Sequence, residues 1–252
     1  EERPVTALPG SLDFADPDSA VRFRGDRYYY SDDRCRTWQG PFQLPNLDRP
    51  GLLARTDYLV NGRHDLTAFL ATEKDGGGEG WVCCIRTADG GKTWNFVGQG
   101  GYAIMPSTLR LKNGALLSII RKRAQTETGR IWWIDAYLSP NDGADWYQLD
   151  RPWINNHGNP PHMIRLADGR IALTYGFREA PYGIRAMISA DEGQTWSDEF
   201  VLRGDGGGWD LGYPRTVQRA DGKCVTMYYF NDGTRPERYI AYTIWSPPAE
   251  PR

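Results

Sequence analysis

The sequence predicts an all-β fold built from a repeated antiparallel motif, and three observations predict it. Aromatic residues make up 13% of the chain, with ten Trp and fourteen Tyr, and such side chains suit pleated strands. Glycine (29) and proline (17) are plentiful without low complexity, so the chain turns often. An eight-residue pattern, Ser/Thr-x-Asp/Asn-x-Gly-x-Thr-Trp, occurs four times: SDDRCRTW from Ser31, TADGGKTW from Thr87, SPNDGADW from Ser139 and SADEGQTW from Ser189.

The four copies start 56, 52 and 50 residues apart. Upstream of three of them, or beyond the last, runs a second recurring segment: TLRLKNGALLSII, MIRLADGRIALTYGF and TVQRADGKCVTMYYF, with DYLVNGRHDLTAFL as a looser fourth. Asn-Gly or Asp-Gly between apolar runs marks a tight hairpin, because both central residues of a type I′ turn need positive φ. Each repeat therefore reads strand, Asn/Asp-Gly turn, strand, loop, strand, Asp-x-Gly turn, strand. Four strands per roughly 50 residues, repeated, is the pattern of a β-propeller blade. We read one domain over 1–252, with approximate repeats at 11–39 (partial), 40–95, 96–146, 147–196 and 197–246. The first copy is short, since VRFRGDRYYY leads straight into its turn, and this predicts that part of a blade is absent from the N-terminus.

Within each turn the chemistry is self-consistent. Asp33, Asp89, Asn141 and Asp191 can accept hydrogen bonds from nearby backbone N–H groups, and Gly91, Gly143 and Gly193 supply conformations a Cβ resists. Trp38, Trp94, Trp146 and Trp196 are expected to pack between blades as apolar anchors. The regular placement of these aspartates assigns them to the scaffold.

Composition excludes several functions. A net charge of -2 without charge blocks gives no basis for binding nucleic acid, and no apolar run reaches the ~20 residues needed to cross a bilayer. Cys35, Cys83, Cys84 and Cys224 form no metal-ligand spacing and read as free thiols. Nothing in the sequence calls for a metal or an organic cofactor. The runs Asp75–Gly78 and Gly206–Gly208 lack the Lys-Ser/Thr of a phosphate loop and read as loop tips.

The residues that open each inner strand should gather at one face. They are Arg55-Thr56-Asp57, Ile104-Met105-Pro106, His157-Gly158-Asn159-Pro160 and Asp210 to Arg215. Loops after the second strands add Arg121, Arg123, Arg178, Tyr182, Asn231 and Arg235. Guanidinium forks bind carboxylates bidentately and aromatic faces stack on sugar rings, so this mixture suits an anionic sugar.

The four turns resemble the Asp-box (BNR) repeats of the sialidase superfamily, and the resemblance runs over nearly the whole chain. The stretches NHGNPPHMIRLADGRIALTYGFREAPYGIRAMISADEGQTW and WDLGYPRTVQRADGKCVTMYYFND are similar to bacterial sialidase-like proteins. The resemblance implies a six-bladed propeller, an exported monomer with no cofactor, and an exo-α-sialidase-like glycoside hydrolase. It implies Tyr213 as nucleophile, Asp57 or Asp210 as acid/base, and Arg178, Arg185 and Arg215 as a carboxylate clamp. Arg121, Tyr175 and Asn159 complete the expected sugar contacts. The chain departs from the family at the Arg-Ile-Pro motif, which is absent, and at the nucleophile's Glu partner, where His157-Gly158-Asn159 stands. His157 opens two alternatives: a propeller lyase that uses His and Tyr on uronic acid glycans, or a carbohydrate-binding propeller without catalysis.

Overall fold

In the Asp-box turns the predicted chemistry is realised atom by atom. A computed structural model describes residues 3–47, 51–73, 79–102, 104–127, 129–234 and 237–249. In the first turn, Asp33 Oδ1 accepts from Thr37 N (2.9 Å) and Ser31 Oγ (2.8 Å), and Asp33 Oδ2 accepts from Thr37 Oγ1 (2.6 Å). Asp89 and Asp191 repeat this pattern with Thr93 and Thr195. Asn141 keeps the Oδ1 bond to Asp145 N and turns its Nδ2 to Asp145 Oδ2. The two central positions have positive φ throughout: Gly90 and Gly91, Asp142 and Gly143, Glu192 and Gly193, but Arg34 (60°) and Cys35 (63°) in the first turn.

Eighteen strands form five antiparallel sheets among the described residues, with no helix. The first contains β1 (Ala20–Arg24), β2 (Arg27–Ser31) and β3 (Gln39–Gln43). The second contains β4 (Leu52–Gly62), β5 (Asp65–Glu73), β6 (Glu79–Thr87) and β7 (Asn95–Tyr102). The third contains β8 (Ile104–Arg110), β9 (Leu116–Thr126), β10 (Gly129–Ser139) and β11 (Tyr147–Ile154). The fourth contains β12 (Pro161–Arg165), β13 (Ile171–Phe177), β14 (Gly183–Ser189) and β15 (Phe200–Arg203). The last contains β16 (Gly212–Gln218), β17 (Cys224–Phe230) and β18 (Tyr239–Trp245). Each Asp-box turn joins the third strand of its sheet to the fourth, or β2 to β3 in the first.

These sheets are β-propeller blades. The expected six-bladed count is corrected to five, and the uniform four strands to three in the first and last sheets. At 50–56 residues per repeat, 252 residues fill about five blades. Arg55 and Thr56 have side chains outside the described set, and Asp75–Gly78 and Arg235 lie outside the described residues.

The chain divides into two compact units, residues 1–105 with 139–146, and 106–138 with 147–252. In the first, buried Trp94 packs edge-on against Phe23 (5.7 Å) and Tyr28 (5.5 Å) of the preceding sheet. Trp146 meets Phe69 at 6.1 Å in the same way. Added bulk is excluded here: a Cβ on Gly143 would stand 2.6 Å from Cys84 Sγ.

In the second unit, Leu117, Ile119 and Ile134 pack against Met163, Leu173 and Tyr175, while Ile184 and Leu211 meet Tyr228 and Phe230. Polar side chains tie its first strands together. Ser107 Oγ accepts from Met163 N (2.8 Å), and His162 Nδ1 accepts from Thr216 N (3.1 Å). A buried hydroxyl chain continues from Thr174 to Thr216 (2.8 Å), Thr226 (2.9 Å) and the indole N–H of Trp245 (2.9 Å). Burial, with Arg215 adding to it, holds His162 down at about 3, so its imidazole is neutral and free to accept.

Candidate functional site

The second unit gathers Arg, Tyr, Trp and His at the sheet ends opposite its Asp-box turns. Strand register fixes the geometry. Pro161 pairs with Tyr175 and Phe177 with Gly183 at one end of the fourth sheet, while Ile171 and Ser189 pair at the other. Gly212 pairs with Tyr229 and Phe230 with Tyr239 at the matching end of the last sheet.

Two buried asparagines build this end. Asn156 Nδ2 donates to Asn159 O (2.6 Å), and its Oδ1 accepts from Gly158 N (3.2 Å). Asn159 Nδ2 donates to Leu211 O (2.8 Å), and its Oδ1 accepts from Gly176 N (2.9 Å) and Tyr213 N (3.1 Å). Asn159 thus sits beneath the surface as the staple between β13 and the start of β16. A Cβ on Gly212 would fall 2.1 Å from Asn159 Nδ2, so only glycine fits there. Tyr213 follows with φ of 54°, a left-handed backbone that a non-glycine residue adopts at a cost of about 1–3 kcal/mol. His157 shares the conformation at 56°.

Arg178 is the hub. Its Nε donates to Leu211 O (3.1 Å), Nη1 to Gly158 O (3.2 Å) and Nη2 to Tyr229 Oη (2.6 Å). Three of its five N–H donors therefore brace the strand starts, and two are left for other acceptors. Its guanidinium lies 5.6 Å from the Trp209 ring centre and 5.7 Å from that of Tyr213. Tyr229 Oη in turn donates to Asp210 Oδ1 (2.8 Å), and Asp210 Oδ2 accepts from Arg238 Nε (3.1 Å). Burial pushes the Tyr229 hydroxyl up to about 12, with Asp210 adding to it against the pull of Arg178, so it remains a neutral donor.

Tyr213, 39% exposed, packs on Tyr229 with ring centres 5.6 Å apart and takes a 3.5 Å hydrogen bond from Arg121 Nη1. Arg121 stacks 4.5 Å over Trp132, whose ring also contacts Gly158. His157 Nε2 stands 2.7 Å from Glu179 Oε2, and its ring meets Phe177 edge-on.

The structure therefore brings together Tyr213, Arg121, Arg178, Asn159, His157 and Asp210. Other expected residues stand elsewhere. Tyr175 is fully buried and donates to Glu199, and burial drives its hydroxyl well above the ordinary phenol range. Arg185 pairs with the same Glu199, with its guanidinium over the Phe177 ring. Arg215 lies on β16 opposite Met227. Asp57 belongs to the first unit, on β4 opposite Phe69. The sequence does not single out Trp132, Trp209, Tyr229 or Glu179 as site residues. Trp209, 61% exposed immediately after the glycine run, was the most visible signal. Among the described residues, no group of three or more His, Cys, Asp or Glu side chains could hold a metal ion.

An all-β propeller with an aromatic and arginine-rich sheet end defines the class. The chain belongs to the BNR repeat-like domain family, whose pattern matches residues 18–226. Among solved structures it is similar to a Dyadobacter fermentans protein of unknown function, at 25% identity and a TM-score of 0.68. That match covers 87% of this chain and 63% of the other. The NanB sialidase of Streptococcus pneumoniae shares the fold at 15% identity and TM-score 0.60, covering 87% of this chain and 35% of that one. An α-L-arabinanase of Penicillium chrysogenum, solved with arabinobiose, shares it at 18% and 0.53, covering 77% and 62%. The chain thus spans less than two thirds of each of these proteins. No curated protein matches it.

Proposed function

We propose that this chain is a carbohydrate-active enzyme that takes a carboxylate-bearing sugar at the Tyr213 rim and cleaves it as a sialidase-like glycoside hydrolase. The observation that carries the reading is the convergence of Arg121 and Arg178 on the Tyr213 ring and hydroxyl, beside Trp132 and Trp209. Two guanidinium groups offer charge-assisted hydrogen bonds to a carboxylate, and the aromatic faces offer a platform for the sugar ring. The hydroxyl of Tyr213 is exposed between them and is the nucleophile of this scheme. It forms the bond to the anomeric carbon as the bond to the aglycone breaks, its proton passing to the departing oxygen. Water then attacks the same carbon, leaving a hydroxyl on the sugar and returning a proton to the Tyr213 oxygen. The carbohydrate-acting proteins that share the fold support the substrate class.

The test is turnover of a fluorogenic sialoside by the full chain, with Tyr213→Phe alongside. Release that vanishes in the variant, while its melting temperature holds, is the expected result. Release that survives the substitution would remove Tyr213 as nucleophile.

One observation favours a second reaction on the same substrate class. His157 Nε2 stands 2.7 Å from Glu179 Oε2, and an imidazole nitrogen at the rim can act as a base. It would abstract the proton next to a uronic carboxylate in a β-elimination, with Arg178 holding that carboxylate. Its signature is an unsaturated product absorbing in the ultraviolet, lost in His157→Ala, with no release from the sialoside.

A further inference from the structure

A groove in the second unit lies apart from the rim cluster, between outer strand β11 and the Asp-box turn of the fourth sheet. Its volume is about 460 Å³, within the range of small-molecule sites. Trp153 from β11, Met187 from β14 and Gln194, Thr195 and Trp196 from the turn line it, with Asp150 at its edge.

The box tryptophans are not equally buried. Trp94, at the same position of its own box, is sealed at 5% exposure beneath Phe23 and Tyr28, whereas Trp196, like Trp38 and Trp146, is only half-buried, and it alone of these lines the groove. Its indole N–H is anchored on Gly193 O at 3.2 Å, which fixes the ring plane from behind. Trp153 is 57% exposed, far more than core packing would leave it.

The polar groups of the groove differ in their commitments. Glu192, in the same turn, spends its carboxylate on Arg165 (2.6 and 2.8 Å) and the backbone of Lys112. The Asp150 carboxylate and the Gln194 amide have no hydrogen-bond partner among the described residues. Among the described residues that line it, the groove thus presents two tryptophans, one carboxylate and one carboxamide, and no cation. This is the reverse of the arginine-rich rim. A carboxylate beside exposed indole repels an anionic sugar and accepts from vicinal hydroxyls, while a pyranose offers its apolar C–H face to the rings.

We propose that this groove is a second, non-catalytic carbohydrate site that takes a neutral pyranose ring. Trp153 and Trp196 hold the C–H face, and Asp150 and Gln194 hold the hydroxyls. The site does not depend on the reaction assigned to the rim. It would let the protein hold a neutral stretch of glycan while the rim handles an acidic sugar.

The experiment titrates the full chain with methyl β-D-glucopyranoside, methyl β-D-galactopyranoside and xylotriose, following tryptophan fluorescence and calorimetry. We expect saturable binding of at least one of them, about tenfold weaker or lost in Trp153→Ala and weakened in Asp150→Asn. Tyr213→Phe should bind them as the parent does, which separates this site from the rim. Because Trp153 is exposed, its variant should melt with the parent. Absence of binding for all three probes, undiminished binding in Trp153→Ala, or loss of binding in Tyr213→Phe would each overturn the proposal. None of these results bears on sialoside turnover.

Discussion

At one end of the fourth sheet, Ser189–Trp196 folds into a turn whose hydrogen bonds recur in three other places along the chain. At the other end, Arg178 and Glu179 reach partners found nowhere else in the repeats. The Asp-box end closes on itself: Asp191 bonds Thr195 and Ser189, all within seven residues. The rim end closes across the chain, from Arg178 to Tyr229 51 positions away, and from Arg121 to Tyr213 92 positions away. Local closure can be copied from blade to blade without regard to neighbours. Distant closure has to be assembled once, and that freedom is where a ligand can be accommodated.

The largest expected effect falls on the copied end. Trp94→Ala empties a sealed aromatic site and should cost roughly 3–5 kcal/mol in urea unfolding, as large-to-small core changes do. If the loss stays under about 1 kcal/mol, the box tryptophans are not the anchors of the scaffold. A medium effect concerns acid. Hydrogen bonds from the Thr37 hydroxyl and backbone hold Asp33 at about 2, and Arg165, opposed by burial and helped by the Lys112 backbone, holds Glu192 at about 2. Unfolded carboxylates titrate near pH 4, so both groups bind protons more weakly when folded. Their contribution is complete above about pH 4 and is lost as pH falls toward 2. Urea midpoints measured across that window should drop, and Glu192→Gln should flatten the drop. The smallest effect tests the odd copy. Cys35 holds φ of 63° where the other turns use glycine. Cys35→Gly should gain about 0.5–1 kcal/mol from relieved strain, less whatever the more flexible unfolded chain gives back. A loss of stability instead would show that the first turn is not interchangeable with the rest.

The same contrast governs what could be read from the sequence. The turns were legible because Asp, Gly and Thr act on their own neighbours, and the Asn/Asp-Gly hairpins were legible for the same reason. The blade count was harder, since a resemblance to longer chains implies six where five sheets form. Tyr213 and Arg178 were legible as residues near strand starts. Their partners were not: Arg178 commits donors to the carbonyls of Gly158 and Leu211, and no side-chain pattern announces a backbone acceptor. Tyr175 shows the other difficulty. Its strand is buried on both faces, so alternation could not tell a rim tyrosine from a core one.

The side-chain links between first strands have a consequence for solubility. β8, β12 and β16 each lie at the edge of a sheet, with a row of amides that could recruit a foreign strand. Ser107 occupies the outward amide of Met163, and His162 that of Thr216. The third and fourth sheets thus each blunt the next one's edge with a single acceptor atom. A proline in each of these strands, Pro106, Pro161 or Pro214, removes a further amide donor, and aggregation should begin where such a cap is removed.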